Sequence, residues 1–278
     1  MIPFSVTISI YKSDNPDYFK MAMNSILNQT LPPDEIVLTI DGPISAELNN
    51  IAEEYAKLSP IFEIIRLQEN RGLGFAHKIG VENCSNQLIA IMDSDDIAVS
   101  DRFEKQVQYL EEHPDVDIVG GYIYEFIDTI ENIVGIRDVP LVDEDIKKYL
   151  KKRCPLNHVT VMFKKEAVLK CGNYQDWQFN EDYYLWCRMF LSGFQFGNIP
   201  DNLVYVRVGK DMYNRRGGWK YFKSEARLQK FMLDKKIINN YEYNINILTR
   251  FAVQIMLPNS IRGYIFRHFF RRDINFAY

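Results

Sequence analysis

The 278-residue sequence has no run of about 18 or more uncharged apolar residues, the minimum for a membrane-spanning helix. Residues 1–5 lack the basic segment and long apolar stretch of a secretory leader. Its four cysteines, Cys84, Cys154, Cys171 and Cys187, are widely spaced and form no CxxC pair, which argues against disulfides and a zinc site. These absences predict a cytoplasmic protein with reduced thiols.

The net charge is small, but charge is unevenly distributed along the chain. The formal net charge is -4, yet residues 205–278 carry 15 Lys and Arg against 5 Asp and Glu. Such a basic end is typical of a segment that meets an anionic surface, or else of solvated helical faces. The hydrophobic fraction of 47% is ample for a packed core, so the chain is predicted to be globular.

Hydrophobic periodicity predicts alternating strands and helices in the first hundred residues. The predicted strands cover residues 5–10, 35–40, 62–67 and 88–92, and the predicted helices cover residues 16–27, 46–58 and 74–82. Helices between successive strands imply a parallel sheet, whose ligands bind at the carboxyl ends of the strands.

The fourth predicted strand, Leu88–Met92, stops abruptly at Asp93-Ser94-Asp95-Asp96. Carboxylates at the end of a rigid strand suit a hard divalent cation and the phosphates that it carries. Asp and Ser also occupy ordinary turns and helix caps, and a cap remains an alternative for Asp96 before the next helix.

Several motifs occur in an order that resembles the family 2 glycosyltransferases over roughly residues 4–235. The motifs are Ser25–Thr30, Asp41-Gly42, Asn70–Gly74, Asp93–Asp96, Asn157–Phe163, Asn180–Arg188 and Arg207–Gly218. Several ordered motifs together are far more specific than any one of them alone.

The resemblance implies a fold and a domain organisation. The fold would be α/β of the GT-A type, a Rossmann-like, mostly parallel sheet flanked by helices, with a C-terminal helical extension. Residues 1–205 would form the catalytic domain, with a nucleotide-binding half at 1–100 and an acceptor-binding half at 101–205. Residues 206–278 would form a basic flexible loop and the helical extension.

On the donor side, the resemblance implies Mn²⁺ or Mg²⁺ bound directly by Asp95, with Asp93 near the ribose or in the water shell of the metal. Ser94 belongs to the same motif. Asp41 would accept a hydrogen bond from uracil, although a turn Asp before Gly is an equal alternative. Arg71 would bring a cation to the nucleotide or its phosphates.

On the acceptor side, the resemblance makes Asp182 the catalytic base and Glu181 an orienting group. The alternative is that both are simply the acidic first turn of a helix. His158 and Trp177 are candidates for sugar contact, and a structural histidine is the alternative for His158. His77 replaces the family's usual arginine and is predicted to be a partly exposed helical residue without a chemical role.

The basic end of the chain offers two candidate segments. Arg207, Arg215 and Arg216 lie in a glycine-containing stretch predicted to close over the pyrophosphate. Residues 261–272 mix aromatic residues with arginines, which suits either an anionic lipid surface or docking on the catalytic domain.

The sequence therefore predicts an inverting glycosyltransferase that uses a nucleotide-sugar donor, taken to be a UDP-sugar. The acceptor would be a saccharide, plausibly lipid-diphosphate-linked, in cell-surface polysaccharide synthesis, with the enzyme peripheral at the inner membrane face. Two alternatives are a nucleotidyltransferase and a non-catalytic nucleotide-sugar-binding protein. A nucleotidyltransferase typically has a glycine-rich loop after its first strand, where this chain has Tyr11–Asn15. The sequence also shows no recognisable nucleic-acid-binding module.

Overall fold

A central mixed sheet organises the computed structural model, which describes residues 1–209 and 217–258. The strands are β1 Phe4–Ile10, β2 Glu35–Ile40, β3 Phe62–Arg66, β4 Leu88–Met92, β5 Ile97–Ala98, β6 Ile118–Phe126, β7 Ile133–Arg137, β8 Met162–Lys164 and β9 Phe196–Arg207. The helices are α1 Pro16–Leu27, α2 Ala46–Leu58, α3 Leu73–Asn83, α4 Arg102–Glu112, α5 Asp143–Leu150, α6 Lys165–Lys170, α7 Glu181–Leu191, α8 Trp219–Asp234 and α9 Asn240–Phe251. A 3₁₀ turn covers His158–Thr160, and a π turn, Ala252–Met256, follows α9.

The strand order is β3-β2-β1-β4-β8-β6-β9-β5, with β7 pairing on β6. The first four strands are mutually parallel, as the β/α alternation predicts. Strand β8 runs antiparallel to both β4 and β6. In the register, Ile10 pairs with Ile40 and Ile8 with Met92, so the segments that follow β1, β2 and β4 emerge at one edge of the sheet.

Hydrophobic residues cover both faces of the sheet, which is why the parallel strands read as continuous apolar runs. All seven residues of β1 are buried. Along β4, Ala90 and Met92 join one core cluster, whereas Ile89 and Ile91 join the other. The strands are thus held between two helical layers.

Local capping explains why the predicted helices α1 and α2 begin where they do. Asn15 accepts hydrogen bonds from the backbone N–H groups of Asp17 and Tyr18, and Pro16 occupies the first turn of α1. Ser45 accepts from the Leu48 N–H and caps α2 in the same way. Both helices have the predicted bounds, while β3 ends one residue earlier than predicted.

The C-terminal helices α8 and α9 pack as an antiparallel pair. They lie against the core cluster that contains Ile89 and Ile91, which we call the second core. Leu228 and Met232 of α8 are completely buried there. Between the helices, the Arg250 Nε lies 2.6 Å from a carboxylate oxygen of Glu225. Strand β9 runs through the predicted domain boundary at residue 205 and ends at Arg207. In the described part of the chain, none of the helices combines the length and apolarity needed to traverse a bilayer.

Candidate active site

A cavity of about 640 Å³ opens at the carboxyl ends of the central strands. Its lining includes Asp93 and Asp96 after β4, His158 of the 3₁₀ turn, and Asp182 in the first turn of α7. The structure therefore brings together residues from the predicted donor and acceptor motifs. A second opening, of about 510 Å³, lies at the amino end of β4 and contains none of these residues.

Carboxylates crowd the cavity around the segment that follows β4. Burial raises the pKa of Asp93 to about 7, reinforced by the negative charges of Asp95 and Asp182. Burial, with Asp95 adding to it, also raises the pKa of Asp14 to about 6. The Ser94 hydroxyl donates to Asp14 at 2.9 Å. The loop after β1 thus contributes a carboxylate that the sequence motifs did not single out.

The carboxylate oxygens in this part of the cavity are suitable ligands for a divalent cation. Among the described residues, Asp93 Oδ1 is buried without a hydrogen-bond partner. Crowded carboxylates with raised pKa values are stabilised when a cation shares their oxygens. Asp93 and Asp95 remain the oxygen donors that we expect to hold such an ion.

Asp93 also belongs to a second set of potential metal-ligand atoms. One atom each from His77, Asp93 and His158 lie within 4.8 Å of one another. His77 is only 1% exposed, so the prediction of a partly exposed helical histidine is wrong. The tight packing of α3 against β1 and β2 explains the burial, because Gly80 on the same helix meets Thr7 with no room for a Cβ. Burial lowers the pKa of His77, which favours neutral imidazole.

His158 is held by a partner that the sequence does not indicate. A hydrogen bond of 2.9 Å joins His158 Nε2 and the Tyr174 hydroxyl. Burial, and then the positive charge of Arg102, lower the pKa of His158 to about 4. His158 is therefore a neutral imidazole in the cavity wall, with its orientation fixed by Tyr174. This arrangement is compatible with a structural role and with contact to a sugar in the cavity.

Two arginines organise the acidic segment from opposite sides. Arg102 is completely buried, and its Nη2 donates to the Ile91 carbonyl at 2.8 Å. Its charge opposes the rise in the pKa of Asp93. Arg207 donates its backbone N–H to Asp96 at 2.8 Å and its Nε to the Asp95 carbonyl at 3.2 Å.

Arg207 differs from its predicted setting in a loop. It is the last residue of β9, and its guanidinium lies over the rings of Tyr18 and Phe126, at 3.7 and 4.6 Å from their centroids. Asp96 meets Arg207 and does not cap α4, because the N-terminal position of that helix belongs to Asp101. The other predicted loop arginines, Arg215 and Arg216, lie outside the described residues, as does the segment 261–272.

Asp182 brings a carboxylate from α7 to the same cavity as Asp93 and Asp96. The Cys154 thiol donates to its carboxylate at 3.6 Å. Burial raises the pKa of Asp182, whereas the Tyr183 N–H, the charge of Arg137 and the Cys154 thiol each lower it. The negative charge of Asp182 in turn raises the pKa of Asp93, so the two carboxylates repel each other electrostatically. Asp182 is both part of the acidic first turn of α7 and part of the cavity wall.

Glu181 points to a different neighbour. Its Cβ would lie 3.2 Å from a Cβ added to Gly74, so Glu181 packs against the start of α3. Burial and the charge of Asp182 raise the pKa of Glu181 to about 7. It borders the Asn70–Gly74 turn and is absent from the cavity lining, unlike its neighbour.

Asp41 builds the turn that carries Arg71. Its carboxylate accepts hydrogen bonds from Asn70 Nδ2, the Arg71 N–H and the Gly72 N–H at 2.9, 2.7 and 2.9 Å. Gly42 allows this approach because its φ is +83° and an added Cβ would lie 2.5 Å from the Asn70 nitrogen. Asp41 therefore fixes the distant Asn70–Gly72 backbone, and the Arg71 guanidinium lies 4.2 Å from the Phe75 ring centroid.

Trp177 does not present a ring face for a sugar. The side chain is only 5% exposed, with its ring 4.2 Å from that of Tyr184 and 4.0 Å from the Arg227 guanidinium. Its indole N–H donates to the Ser224 carbonyl. The expected sugar contact at Trp177 is wrong because the ring anchors α8 to the second core. Trp186, within α7, is completely buried as well.

Comparison with known proteins identifies the family. The family model described as glycosyl transferase family 2 matches residues 5–176. The chain belongs to this family. The resemblance drawn from the motifs is thereby confirmed, and the protein is a glycosyltransferase.

Relatives of this family 2 glycosyltransferase match nearly the full chain. One from Erwinia amylovora, named amylovoran biosynthesis glycosyltransferase AmsE, is 39% identical over 95% of this chain and 97% of its own length. An Escherichia coli protein named UDP-Gal:alpha-D-GlcNAc-diphosphoundecaprenol beta-1,3-galactosyltransferase is 36% identical over 97% of each chain. The family 2 relatives thus include enzymes of bacterial polysaccharide synthesis.

Solved structures confirm the GT-A fold of this family 2 member. TarS 1–349 from S. aureus, in complex with UDP-GlcNAc, superposes with a TM-score of 0.67 and 15% identity over 90% of this chain and 73% of that chain. The mannosyltransferase PcManGT from Pyrobaculum calidifontis, in complex with GDP-Man and Mn²⁺, gives 0.63 and 14% over 94% and 72%.

Proposed function

We propose that the protein transfers a sugar from a UDP-sugar to a lipid-diphosphate-linked saccharide, with inversion at the anomeric carbon. The observation that carries this proposal is that Asp182 shares one cavity with Asp93 and Asp96. An inverting transfer needs a base on one side of the donor sugar and charge neutralisation on the other.

The donor diphosphate would lie against the acidic segment, with Asp95 and Asp93 as ligands of Mn²⁺ or Mg²⁺. The ion would supply electrostatic stabilisation of the leaving UDP. Asp14 and Ser94 hold the segment from the β1 side, and Arg207 holds it from β9. A site preorganised in this way loses little free energy to rearrangement during transfer.

Asp182 would act as the general base. Its carboxylate takes the proton of the acceptor hydroxyl while the hydroxyl oxygen forms a bond to the anomeric carbon, and the bond from that carbon to UDP breaks. Burial raises the pKa of Asp182, which makes the carboxylate a better proton acceptor than an exposed one. His158, fixed by Tyr174, would contact a sugar from the cavity wall.

The acceptor would enter along residues of β7 and the segment after α5. Arg137, Lys152 and Arg153 line this part of the cavity, and Arg137 lies close enough to lower the pKa of Asp182. Cationic side chains suit a phosphorylated acceptor. The diphosphate-linked acceptor in the name of the Escherichia coli relative supports the same chemistry. In this proposal residues 1–100 chiefly hold the donor and residues 101–205 the acceptor.

A donor and acceptor screen tests the proposal. UDP-sugars are compared with GDP- and TDP-sugars by thermal shift, with and without Mn²⁺, and then by transfer to a saccharide diphosphate with a short alkyl chain. We expect Mn²⁺-dependent stabilisation by a UDP-sugar and a product whose new linkage has the opposite anomeric configuration. Retention of configuration, or binding without transfer to any saccharide, would overturn it.

A further inference from the structure

One helix exposes a continuous apolar stripe to solvent. Tyr241, Ile245 and Leu248 of α9 are 74, 43 and 68% exposed, and Met256 of the following π turn is 68% exposed. With Ala252 they recur every three or four residues, so they share one helical face. We name these five residues the α9 stripe.

The opposite face of α9 accounts for its packing. Asn246 is buried and donates to Gln229 of α8 and to the Lys151 carbonyl, both at 2.8 Å. Arg250 pairs with Glu225 of α8. The helix is therefore anchored by polar contacts on its inner face, and the α9 stripe is not needed to hold it on the domain.

Aromatic and cationic side chains extend the stripe. Trp219 at the start of α8 is 58% exposed, and its ring centroid lies 6.1 Å from that of Phe251. Lys220 and Lys223, on the same exposed end of α8, are solvated. Trp and Tyr beside aliphatic residues, flanked by lysines, are typical of segments in the boundary between lipid head groups and acyl chains.

The excess of basic residues in this part of the chain favours an anionic partner. Residues 217–258 carry seven Lys and Arg against three Asp and Glu, and residues 259–278 add four Arg against one Asp. The basic stretch thus continues along the chain directly from the stripe. Exposed basic side chains beside the stripe, such as Lys220 and Lys223, are attracted to anionic lipid. They would repel a second copy presenting the same face.

We infer that the α9 stripe docks on an anionic lipid surface, with α9 lying in the plane of the interface. Thr249, Arg250 and Val253, which lie on α9 and the π turn, line the active-site cavity. Docking through the stripe would therefore bring the cavity next to the membrane. This consequence for acceptor delivery rests on the proposed function, whereas the docking itself does not.

Vesicle flotation of the full-length protein tests the inference. Vesicles of phosphatidylcholine with roughly 30% phosphatidylglycerol are compared with pure phosphatidylcholine. We expect binding to the anionic vesicles that weakens at high salt. Each substitution removes one apolar side chain that docking would bury in lipid, and it adds a negative charge that anionic lipid repels. Leu248→Glu and Ile245→Glu should therefore each weaken partitioning by about tenfold or more.

Leu58→Glu is the matched control, since Leu58 is an exposed leucine of similar accessibility at the end of α2. It should bind vesicles like the wild type. Thermal melting of each variant checks the fold, and transfer to a soluble short-chain acceptor should be unchanged in all of them. If the wild type did not transfer sugar to the soluble acceptor, the result would count against the proposed function and not against docking.

Three results would overturn the inference. The first is unchanged flotation of the stripe variants. The second is loss of flotation only when Arg262, Arg267, Arg271 and Arg272 are neutralised, which would assign binding to the distal segment alone. The third is a dimer in light scattering that Leu248→Glu dissociates, with no vesicle binding, which would make the stripe a protein interface.

Discussion

Replacement of Asp182 by Asn should abolish most of the sugar transfer while leaving the donor site intact. The substitution removes the proton acceptor but keeps the size of the side chain and an oxygen that can accept from the Cys154 thiol. Asp182 lies in the first turn of α7, whereas the hydrogen bonds that hold the Asp93–Asp96 segment join Ser94 to Asp14 and Asp95 and Asp96 to Arg207. We therefore expect the effect to fall on kcat and not on donor affinity.

The expected magnitude follows from the role. A positioned general base contributes about 10²–10⁴-fold to rate, which is roughly 3–5 kcal/mol of transition-state stabilisation. Stability should not fall, because burial raises the pKa of Asp182 and the ionised group therefore destabilises the folded state at neutral pH. For the wild type, kcat/KM should decline as pH falls through that raised pKa, with a slope of one proton.

The assay is steady-state transfer with product quantified by chromatography, alongside thermal melting and donor titration. Asp176→Asn is the matched control, since Asp176 is an exposed carboxylate just before α7 and outside the cavity lining. It should retain turnover within about twofold. Near-normal turnover of Asp182→Asn, or an equal loss in the control, would refute the assignment of the base.

Two further predictions follow from the same electrostatics and packing. Burial raises the pKa values of Asp93 and Glu181 to about 7 and of Asp14 to about 6. These carboxyls bind more protons in the folded state than in the unfolded state, and the lowered pKa values of the buried His77 and His158 oppose this effect mainly below pH 6.5. The Tm of the ion-free protein should therefore fall as pH rises from about 6.5 to about 8. Mn²⁺ should flatten this dependence, and a Tm that rises with pH in calorimetry would contradict the crowded-carboxylate account. Trp177→Phe should cost about 1–2 kcal/mol in the free energy of unfolding through lost packing and the indole hydrogen bond, because Trp177 is a core residue. Denaturant unfolding measures that loss, and a large rise in acceptor KM without loss of stability would instead restore Trp177 to the sugar site.

The strands within residues 1–100 could be predicted because the interactions that favour them are local. Buried parallel strands are continuous apolar runs. Asn15 and Ser45 are N-cap residue types directly before the helices that follow β1 and β2. The acidic segment was visible because an apolar strand ends in carboxylates. These features depend on neighbouring residues in the chain, so a single sequence carries them.

Residues that act through distant contacts were missed. Asp14 reaches Ser94 across 80 positions, Arg102 lies under Asp93 from the start of the next helix, and Tyr174 fixes His158. Nothing in the periodicity of α4 distinguishes a buried arginine from a solvated one. Trp177 was misassigned for the same reason, since its cover comes from Tyr184 and from Arg227 of a helix 50 residues later.

Isothermal titration calorimetry of UDP with and without Mn²⁺, on the wild type and on Asp95→Ala, tests the central claim most directly. The account predicts that Mn²⁺ strengthens UDP binding by tenfold or more in the wild type and that Asp95→Ala removes the difference. Equal UDP binding with and without the ion, or an undiminished Mn²⁺ effect in Asp95→Ala, would contradict it.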